Sequence, residues 1–489
     1  MDITFTKADA DINTGLIEKS IEVEPLVLEL GLYENFASLA ERFMHLPSFV
    51  FLDNSAANSK TPYSYITADP FQVLKSKTNN VVLEINGTSV RLGSNVFDSI
   101  RNILSKYRLN SIPDLPEFQG GAVGYIGYEV GKSIERIGHY AKDDVKLPDV
   151  YLAMYDWVIS HDTQTGQTWA VSTGFPTGSR NIAQNRLKWI KECIVRKFSD
   201  PENAWTPSRI DSSTFTRDQY LKAVSTIKDY ISEGDVYQVN LSQRFHAVSK
   251  SEPWEVYNRL RKISPAPYGS FLKYPEATII SSSPELYIEK KGGQIRSNPI
   301  KGTRPRGQND HADKLLSSEL FHSEKDRAEN LMIVDVVRND FGRVCHPGSI
   351  EVPSLFNIEP HPTVFQMVSE VTGSVRDNLN CTELLKRTFP GASVTGAPKI
   401  RAMQIIDELE PMERGAYCGG IGYIGFDNSL TMSMAIRIMI AVKQSIYIPV
   451  GGGIVYDSVP EQEYDETLHK AAAAFKSLGI SQNFLSSSN

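Results

Sequence analysis

Residues 277–300, ATIISSSPELYIEKKGGQIRSNPI, read as strand, turn, strand, turn, strand, with too little chain between the apolar runs to hold a helix. A doubly wound parallel sheet needs a long crossover, usually a helix, after each strand. This stretch therefore points away from that architecture. Helical segments are present but irregularly placed: TRDQYLKAVSTIKDYISEG is amphipathic and stops at a glycine, and YENFASLAERFMHL has helical spacing. The runs NVVLEING and TWAVSTG alternate and end in turn signals. Strand runs with scattered helices make an α+β chain. At 489 residues it exceeds what one typical core supports. Two regions, 1–198 and 214–484, are expected, joined over 199–213, where the sequence is rich in Pro, Ser and Asp and lacks periodicity.

Composition removes several function classes. Hydrophobic residues at 41% and charged residues at 22% are those of a soluble globular protein. A formal charge of −7 argues against nucleic acid as a partner, because phosphate binding needs a basic face. The 4 cysteines are scattered without a CxxC, which fits a reducing cytoplasm and excludes a cysteine-built zinc site. The start, MDITFTKADADI, lacks the basic and apolar regions of a secretory signal. No apolar run reaches membrane-spanning length, and SMAIRIMIAV is interrupted by Arg437. A cytoplasmic protein without a membrane partner is expected.

Three glycine-rich stretches, GGAVGYIGYEVG, GAYCGGIGYIGF and VGGGIVYDS, lack the strand–GxGxxG–helix setting of a dinucleotide site. Each alone is as well explained by strand bends or close backbone packing. In HSEKDRAENLMIVDVVRNDFG, Ser323 and Asp326 form a cap pattern, and Asp326 and Glu329 share a helix face. In DSVPEQEYDETLHKAAAAFKSLG, Asp457 or Ser458 is the expected cap, with Pro460 near the first turn and Gly479 as the stop. Glu463, Glu466 and Lys470 share one face of that helix. Acidic pairs of this kind are ordinarily solvated; two such faces that meet make an oxygen site for a hard cation such as Mg²⁺. In FPGASVTGAPKIRAMQIIDELEP, Pro398 lies at a helix start whose amides suit a carboxylate, and an ordinary turn capped by Thr395 is the alternative. Lys301, in SNPIKGTRPRG, is by composition a solvated turn lysine.

Taken together, SSPELYIE, NPIKGTRPRG, EKDRAENLMIVDVVRNDFGRVC, GAPKIRAMQIIDEL, GYIGFDNSLTMSMAIR and GGGIVYDSVPEQEYDETLHKA resemble, in order and spacing, the chorismate-utilising enzymes. That family includes the large subunits of anthranilate and aminodeoxychorismate synthases and the isochorismate and salicylate synthases. The resemblance is strong over 214–480 and weaker through FLDNSAANSKTPYSYITADP and GGAVGYIGYE. It implies the anthranilate synthase component I-like fold, a large β-sandwich flanked by helices with the active site in a cleft, and Mg²⁺-dependent chemistry on chorismate. It implies Glu329 and Glu466 as metal ligands, supported by Asp326 and Glu463. Tyr417, Arg437 and the backbone of Gly451, Gly452 and Gly453 would hold the enolpyruvyl carboxylate. Lys470 would sit near the ring carboxylate, with Thr303 and Thr395 also contacting substrate, and Glu285 would protonate the departing C4 hydroxyl.

Gln238 stands where water-using relatives carry a base lysine, and a neutral amide cannot serve as that base. This favours ammonia as nucleophile. PIKGT is the form typical of aminodeoxychorismate synthases, in which Lys301 would attack ring C2; anthranilate synthases read PIAGT. RNDFGRVC and VGGGIV agree. FLDNS and Gly269 depart from the residues that line the tryptophan pocket of anthranilate synthases, and Gln366 replaces their histidine, which disfavours pyruvate elimination. The resemblance implies formation of 4-amino-4-deoxychorismate for p-aminobenzoate and folate synthesis, with anthranilate as the alternative product. No glutaminase nucleophile elbow occurs, so a separate glutaminase subunit (component II) is the expected ammonia source.

Overall fold

Strand Gly121–Ile126 lies antiparallel to Gly420–Gly425, with Gly124 opposite Gly422, so two of the glycine-rich stretches are partners across some 300 residues of sequence. This pairing is the seam of the computed structural model, which describes residues 20–56, 62–196, 206–362 and 364–480. On one side of the seam the first sheet continues through Val150–Tyr155, Gln72–Lys77, Asn80–Ile85 and Thr88–Gly93. On the other side it continues through Leu430–Met434, Leu286–Lys291, Gln294–Asn298, Val364–Ser374 and Ile300–Pro305. A second sheet, also of 12 strands, has its own seam where Phe49–Asp53 meets Tyr268–Lys273. Nearly every pairing is antiparallel; Ile21–Val23 with Tyr107–Leu109 is parallel.

The regions 1–198 and 214–484 thus share both sheets rather than keeping a core each. Of the stretch read as a connecting loop, 199–205 lies outside the described residues, whereas Arg209–Ser213 is an edge strand on Gln238–Val248. The opening MDITFTKADADI also lies outside the described residues.

The sheets face each other to form a sandwich. Val150–Tyr155 is buried at all six positions, as expected of a strand covered on both faces. Aromatic pairs cross the gap: Tyr151 stacks on Tyr274 with centroids 3.8 Å apart, and Tyr65 meets Tyr423 edge-on at 5.9 Å. Such pairs contribute about 1 kcal/mol each beyond their buried area. The outer face of the second sheet carries a separate apolar layer under helices Phe36–Glu41, Arg180–Val195, Pro253–Ile263 and Pro460–Ser477. Helices Arg217–Ser232, Glu324–Gly342 and Lys399–Leu409 bury Val224, Ile333 and Ile406 in the inter-sheet core.

The triple-strand stretch at 277–300 does not stay in one sheet. Thr278–Ser283 belongs to the second sheet and Leu286–Lys291 to the first, so the chain crosses at Pro284–Glu285. The same happens within SMAIRIMIAV: Leu430–Met434 is in the first sheet, Ile438–Val442 in the second, and Arg437 lies at the crossing with φ +54°. A left-handed conformation costs a non-glycine residue roughly 1–2 kcal/mol. The two crossings are neighbours: Met434 N–H donates to the Glu285 carbonyl (3.0 Å) and Ser282 N–H to the Arg437 carbonyl (3.1 Å).

Among the described residues, no helix is long and apolar enough to cross a membrane.

Candidate active site

Because both crossings occur at the same place, Glu285 and Arg437 leave the sheets side by side. Glu285 is 4% exposed, and burial pushes its carboxyl up to about 7, with the Ser393 hydroxyl and the Lys301 charge holding it back. A carboxyl poised there is protonated in part of the neutral population and can serve as an acid. Burial pulls the Arg437 guanidinium below its ordinary value, and Tyr417 and Glu466 oppose that. An Arg437 Nη1–H donates to the Lys470 carbonyl at 3.2 Å. A fork aimed beside a buried phenol suits a carboxylate. Tyr417 is itself buried, on a turn where its N–H donates to the Arg414 carbonyl.

Gly451, Gly452 and Gly453 form the end of strand Ser445–Ile454, opposite Ser242, Leu241 and Asn240. Their missing side chains leave room for charged groups. A Cβ on Gly453 would lie 3.0 Å from Lys301 Nζ and 3.1 Å from Gln238 Nε2; one on Gly452 would lie 3.4 Å from Glu463 Oε2 and 3.5 Å from Glu466 Oε1. The glycine run therefore separates an amine from a pair of carboxylates. Lys301, carried on strand Ile300–Pro305, acts electrostatically on Glu285, Glu329 and Glu466 alike. Gln238 is 0% exposed, and neither its amide nitrogen nor its oxygen has a hydrogen-bond partner among the described residues. A buried amide left so costs on the order of 1–3 kcal/mol per atom, which a bound polar ligand would recover.

The two acidic helix faces are close enough for Glu466 to act electrostatically on Glu329. Burial raises the Glu329 carboxyl; Lys301 and Lys325 lower it, while Asp326 and Glu466 raise it. Glu466 is half-exposed and lowered chiefly by Lys470, whose Nζ lies 2.6 Å from it and also donates to the Gly451 carbonyl at 2.8 Å. Glu463 is raised by burial, accepts from Ser458 Oγ (2.6 Å) and leaves Oε2 unpartnered. Among the described residues, no three His, Cys, Asp or Glu side chains converge as a complete metal cage. A pair such as Glu329 and Glu466 fits a cation that completes its shell with water and substrate oxygens, as magnesium does. The unpartnered Glu463 oxygen fits a supporting contact.

Some expected residues sit differently. Asp326 is committed to Arg304 (2.9 Å) and packs against Gly302, so its charge is already matched. Arg306 pairs with Asp313, and neither arginine of SNPIKGTRPRG faces Lys301 through a free guanidinium. The Thr395 hydroxyl donates within its own turn, to the Gly391 and Ala392 carbonyls, and can offer a substrate only its lone pairs. Thr303 is exposed on the rim, opposite Gln366. Neither Asp457 nor Ser458 caps the last helix: its N-cap is Val459, and the Ser458 hydroxyl is spent on Glu463. The Ser323 cap on Asp326 N–H and the stop at Gly479 (φ +67°) are as the sequence predicts.

A cleft of about 610 Å³ reaches the site at Arg437 and is lined also by Pro284, Gln366, His361 and His469. The Gln366 Oε1 and His361 Nε2 atoms on its wall have no partner among the described residues. A separate cavity of about 70 Å³, with Leu52, Asp53, Gly269 and Tyr423 in its walls, lies between the sheets. There Asp53 is taken by Arg261 (2.7 Å) and Tyr257 (2.8 Å).

Sequence reasoning missed Ser393, Asn240 and the buried pair Arg414–Glu410. The motif GAPKIRAMQIIDEL ends just before Glu410, and nothing local marks an arginine four residues later as buried.

Comparison with known proteins identifies the family and the fold. The profile of the chorismate binding enzyme family matches residues 51–476, and the chain belongs to that family. It is 38% identical over 442 residues to aminodeoxychorismate synthase component 1 of Escherichia coli K12, covering 89% of this chain and 94% of that one. It is 37% identical to anthranilate synthase component 1 of Aquifex aeolicus, over 86% of this chain and 87% of that one. The crystal structure of anthranilate synthase component I from Streptococcus pneumoniae TIGR4 superposes with a TM-score of 0.77 at 30% identity, covering 86% of this chain and 93% of that one. The protein is a chorismate-utilising enzyme with the anthranilate synthase component I-like α+β fold.

Proposed function

We propose that the enzyme converts chorismate and ammonia to 4-amino-4-deoxychorismate. The observation that carries this reading is Lys301 Nζ, which stands with the Gln238 amide over Gly453 and acts electrostatically on the Glu285, Glu329 and Glu466 carboxylates. Arg437 and Tyr417 hold the enolpyruvyl carboxylate. Glu329 and Glu466, with Glu463 behind, would hold Mg²⁺, which would supply the positive charge that anchors the ring carboxylate.

In the first half-reaction the nitrogen lone pair of Lys301 forms a bond to ring C2. The C4–O bond breaks, and the hydroxyl takes the Glu285 proton and leaves as water. Ammonia then bonds to C4, and the C2–N bond breaks, returning its electron pair to Lys301. The new C4 ammonium gives a proton to Glu285, which restores the acid. Net consumption is one chorismate and one ammonia, and water is released. Gln238 cannot remove a proton from water and so leaves ammonia unopposed as the second nucleophile.

The relatives named component 1 support a second component, and a glutaminase is the partner that would deliver ammonia to a chain without its own nucleophile elbow. The product places the enzyme in p-aminobenzoate and folate synthesis, in the cytoplasm. A second reading, anthranilate formation, is favoured by the Aquifex relative. Gln366 weighs against it, since an amide offers no base for pyruvate elimination.

Product analysis with chorismate, Mg²⁺ and an ammonium salt, at a pH that gives free NH₃, separates the two. The C4 amine is expected; fluorescent anthranilate as the main product overturns the reading. Glu329→Gln or Glu466→Gln is expected to remove at least about 10³-fold of the turnover while thermal unfolding stays near that of the wild type. Full activity in EDTA would overturn the metal assignment.

A further inference from the structure

Glu285 and Lys301 can act on one ring only if the segments beside them keep a fixed separation. Those segments come from distant parts of the chain. Ser393, next to the Glu285 carboxyl, lies in the turn Ala392–Val394. Asn240 lies on Gln238–Val248, opposite the Gly453 that makes room for Lys301 Nζ. One guanidinium ties the two. Arg414 Nη1 donates to the Val394 carbonyl (2.8 Å), and Nη2 donates to the Asn240 carbonyl (2.7 Å).

The arginine is held as firmly as it holds. Its side chain is 2% exposed and lies over the Tyr128 ring at 4.6 Å. Its Nε and Nη2 engage both oxygens of Glu410, at 2.8 and 2.6 Å. Glu410 Oε1 in turn accepts from the N–H and hydroxyl of Ser242, two residues along the same strand from Asn240. The backbone of Arg414 completes the hub: its N–H donates to Glu129, and its carbonyl accepts from Tyr417 N–H. A planar fork is the group that can meet two carbonyls and a carboxylate at once; an ammonium has no such fixed plane. Glu329, Glu466 and Arg437 stand on other segments that the Arg414 side chain does not touch.

We infer that Arg414 is a positioning residue that, with Glu410, sets the separation between the Glu285 side and the Lys301 side of the chorismate site. The assignment rests on the reading that these two groups act on the same ring. It predicts a specific split. Ground-state binding comes from the metal pair, Arg437 and Tyr417, whose hydrogen bond to Arg414 is through backbone and survives a side-chain change; it is retained, whereas the approach of acid and amine to the ring is lost. A misplacement of about 1 Å can cost roughly 100-fold in rate.

The test uses the paired variant Arg414→Met with Glu410→Met, which leaves neither charge buried alone. Chorismate consumption with Mg²⁺ and ammonium, whatever the product, is measured beside thermal unfolding. The expected result is a cooperatively folded protein with KM for chorismate within about threefold of wild type and kcat lowered about 100-fold. Arg414→Lys, which keeps the charge without the fork, should fall between. A folded paired variant with kcat within threefold of wild type overturns the inference, as does a large rise in KM with kcat retained. If the paired variant does not fold, Glu410→Gln decides: kcat lowered about tenfold in a folded protein is expected, and unchanged kcat overturns. Because the assay follows substrate loss, anthranilate from the wild-type enzyme would sink the proposed product and leave the Arg414 assignment standing.

Discussion

Two glycine-rich places in this molecule look alike in sequence and are glycine for different reasons. At the seam, the position of a Cβ on Gly124 is occupied by the Tyr151 carbonyl oxygen, and that on Gly422 by the Thr431 carbonyl oxygen. Backbone cannot retreat without unpairing a strand. At Gly452 and Gly453 the neighbours are the tips of Glu463, Glu466, Gln238 and Lys301, at 3.0 to 3.5 Å. Long side chains can retreat, but only by leaving the positions from which they would act. The seam glycines hold the fold together; the others hold a space open. A glycine's role is thus read from what stands where its side chain would be.

Four outcomes break or sharpen this comparison. Gly124→Ala and Gly422→Ala should each destabilise the protein by at least about 4 kcal/mol, because the clash is with backbone in the middle of a sheet. Denaturant unfolding, or failure to recover folded protein, checks this; a near-native midpoint would show that the seam can part.

On the open side, Lys301→Ala should lose about 10³-fold of C4 product formation with chorismate still bound. The remaining turnover should shift to attack of ammonia at C2. Lys301→Arg should not restore the C4 product, since a guanidinium stays protonated. Mass analysis of both variants reads this, and an active arginine variant with unchanged regiochemistry would return Lys301 to a purely electrostatic role.

Gly453→Ala is the direct counterpart of the seam substitutions. Its Cβ meets flexible tips, so stability should change by no more than about 1 kcal/mol while activity falls roughly 10- to 100-fold. Equal losses at Gly453 and Gly124, in stability as in activity, would erase the distinction.

The last effect is on stability against pH. Glu285 is raised by burial from 4.5 to about 7, so the folded state binds this proton more tightly than the unfolded chain. Its contribution is full below about 4.5 and is lost as pH rises through about 7. Glu285→Gln has no charge to bury. It should gain on wild type across that window, by at most about 3 kcal/mol at pH 8, and show no gain at pH 4. Parallel unfolding curves at the two pH values measure it, and a pH-independent difference would contradict the burial of a titrating carboxyl.

How far the site was legible in sequence follows from how local each feature is. The Ser323 cap, the Gly479 stop and the acidic faces of two helices depend on residues three or four apart, and all are where the spacing puts them. The Lys301 motif could be quoted from its strand, but the neighbours that give it meaning, Gly453 and Gln238, come from two other strands. Arg304 stands three residues from Lys301 in the same motif, yet it pairs with Glu319 and Asp326. Ser458 looked like a cap, and its hydroxyl was drawn to a buried carboxylate that competes better for the proton.

The sequence by itself determined the kinds of segment present, the ends of the main helices, and the side chains available for chemistry, because each is set by dihedral preference and short-range spacing. The tertiary structure alone decided that Gly121–Ile126 meets Gly420–Gly425, and that the chain leaves one sheet for the other at both Glu285 and Arg437. It alone decided that Arg414 is buried between two carbonyls. Those outcomes depend on which strands pair across hundreds of residues. Pairing is selected by packing of whole sheet faces against each other, a property that no short stretch of sequence contains.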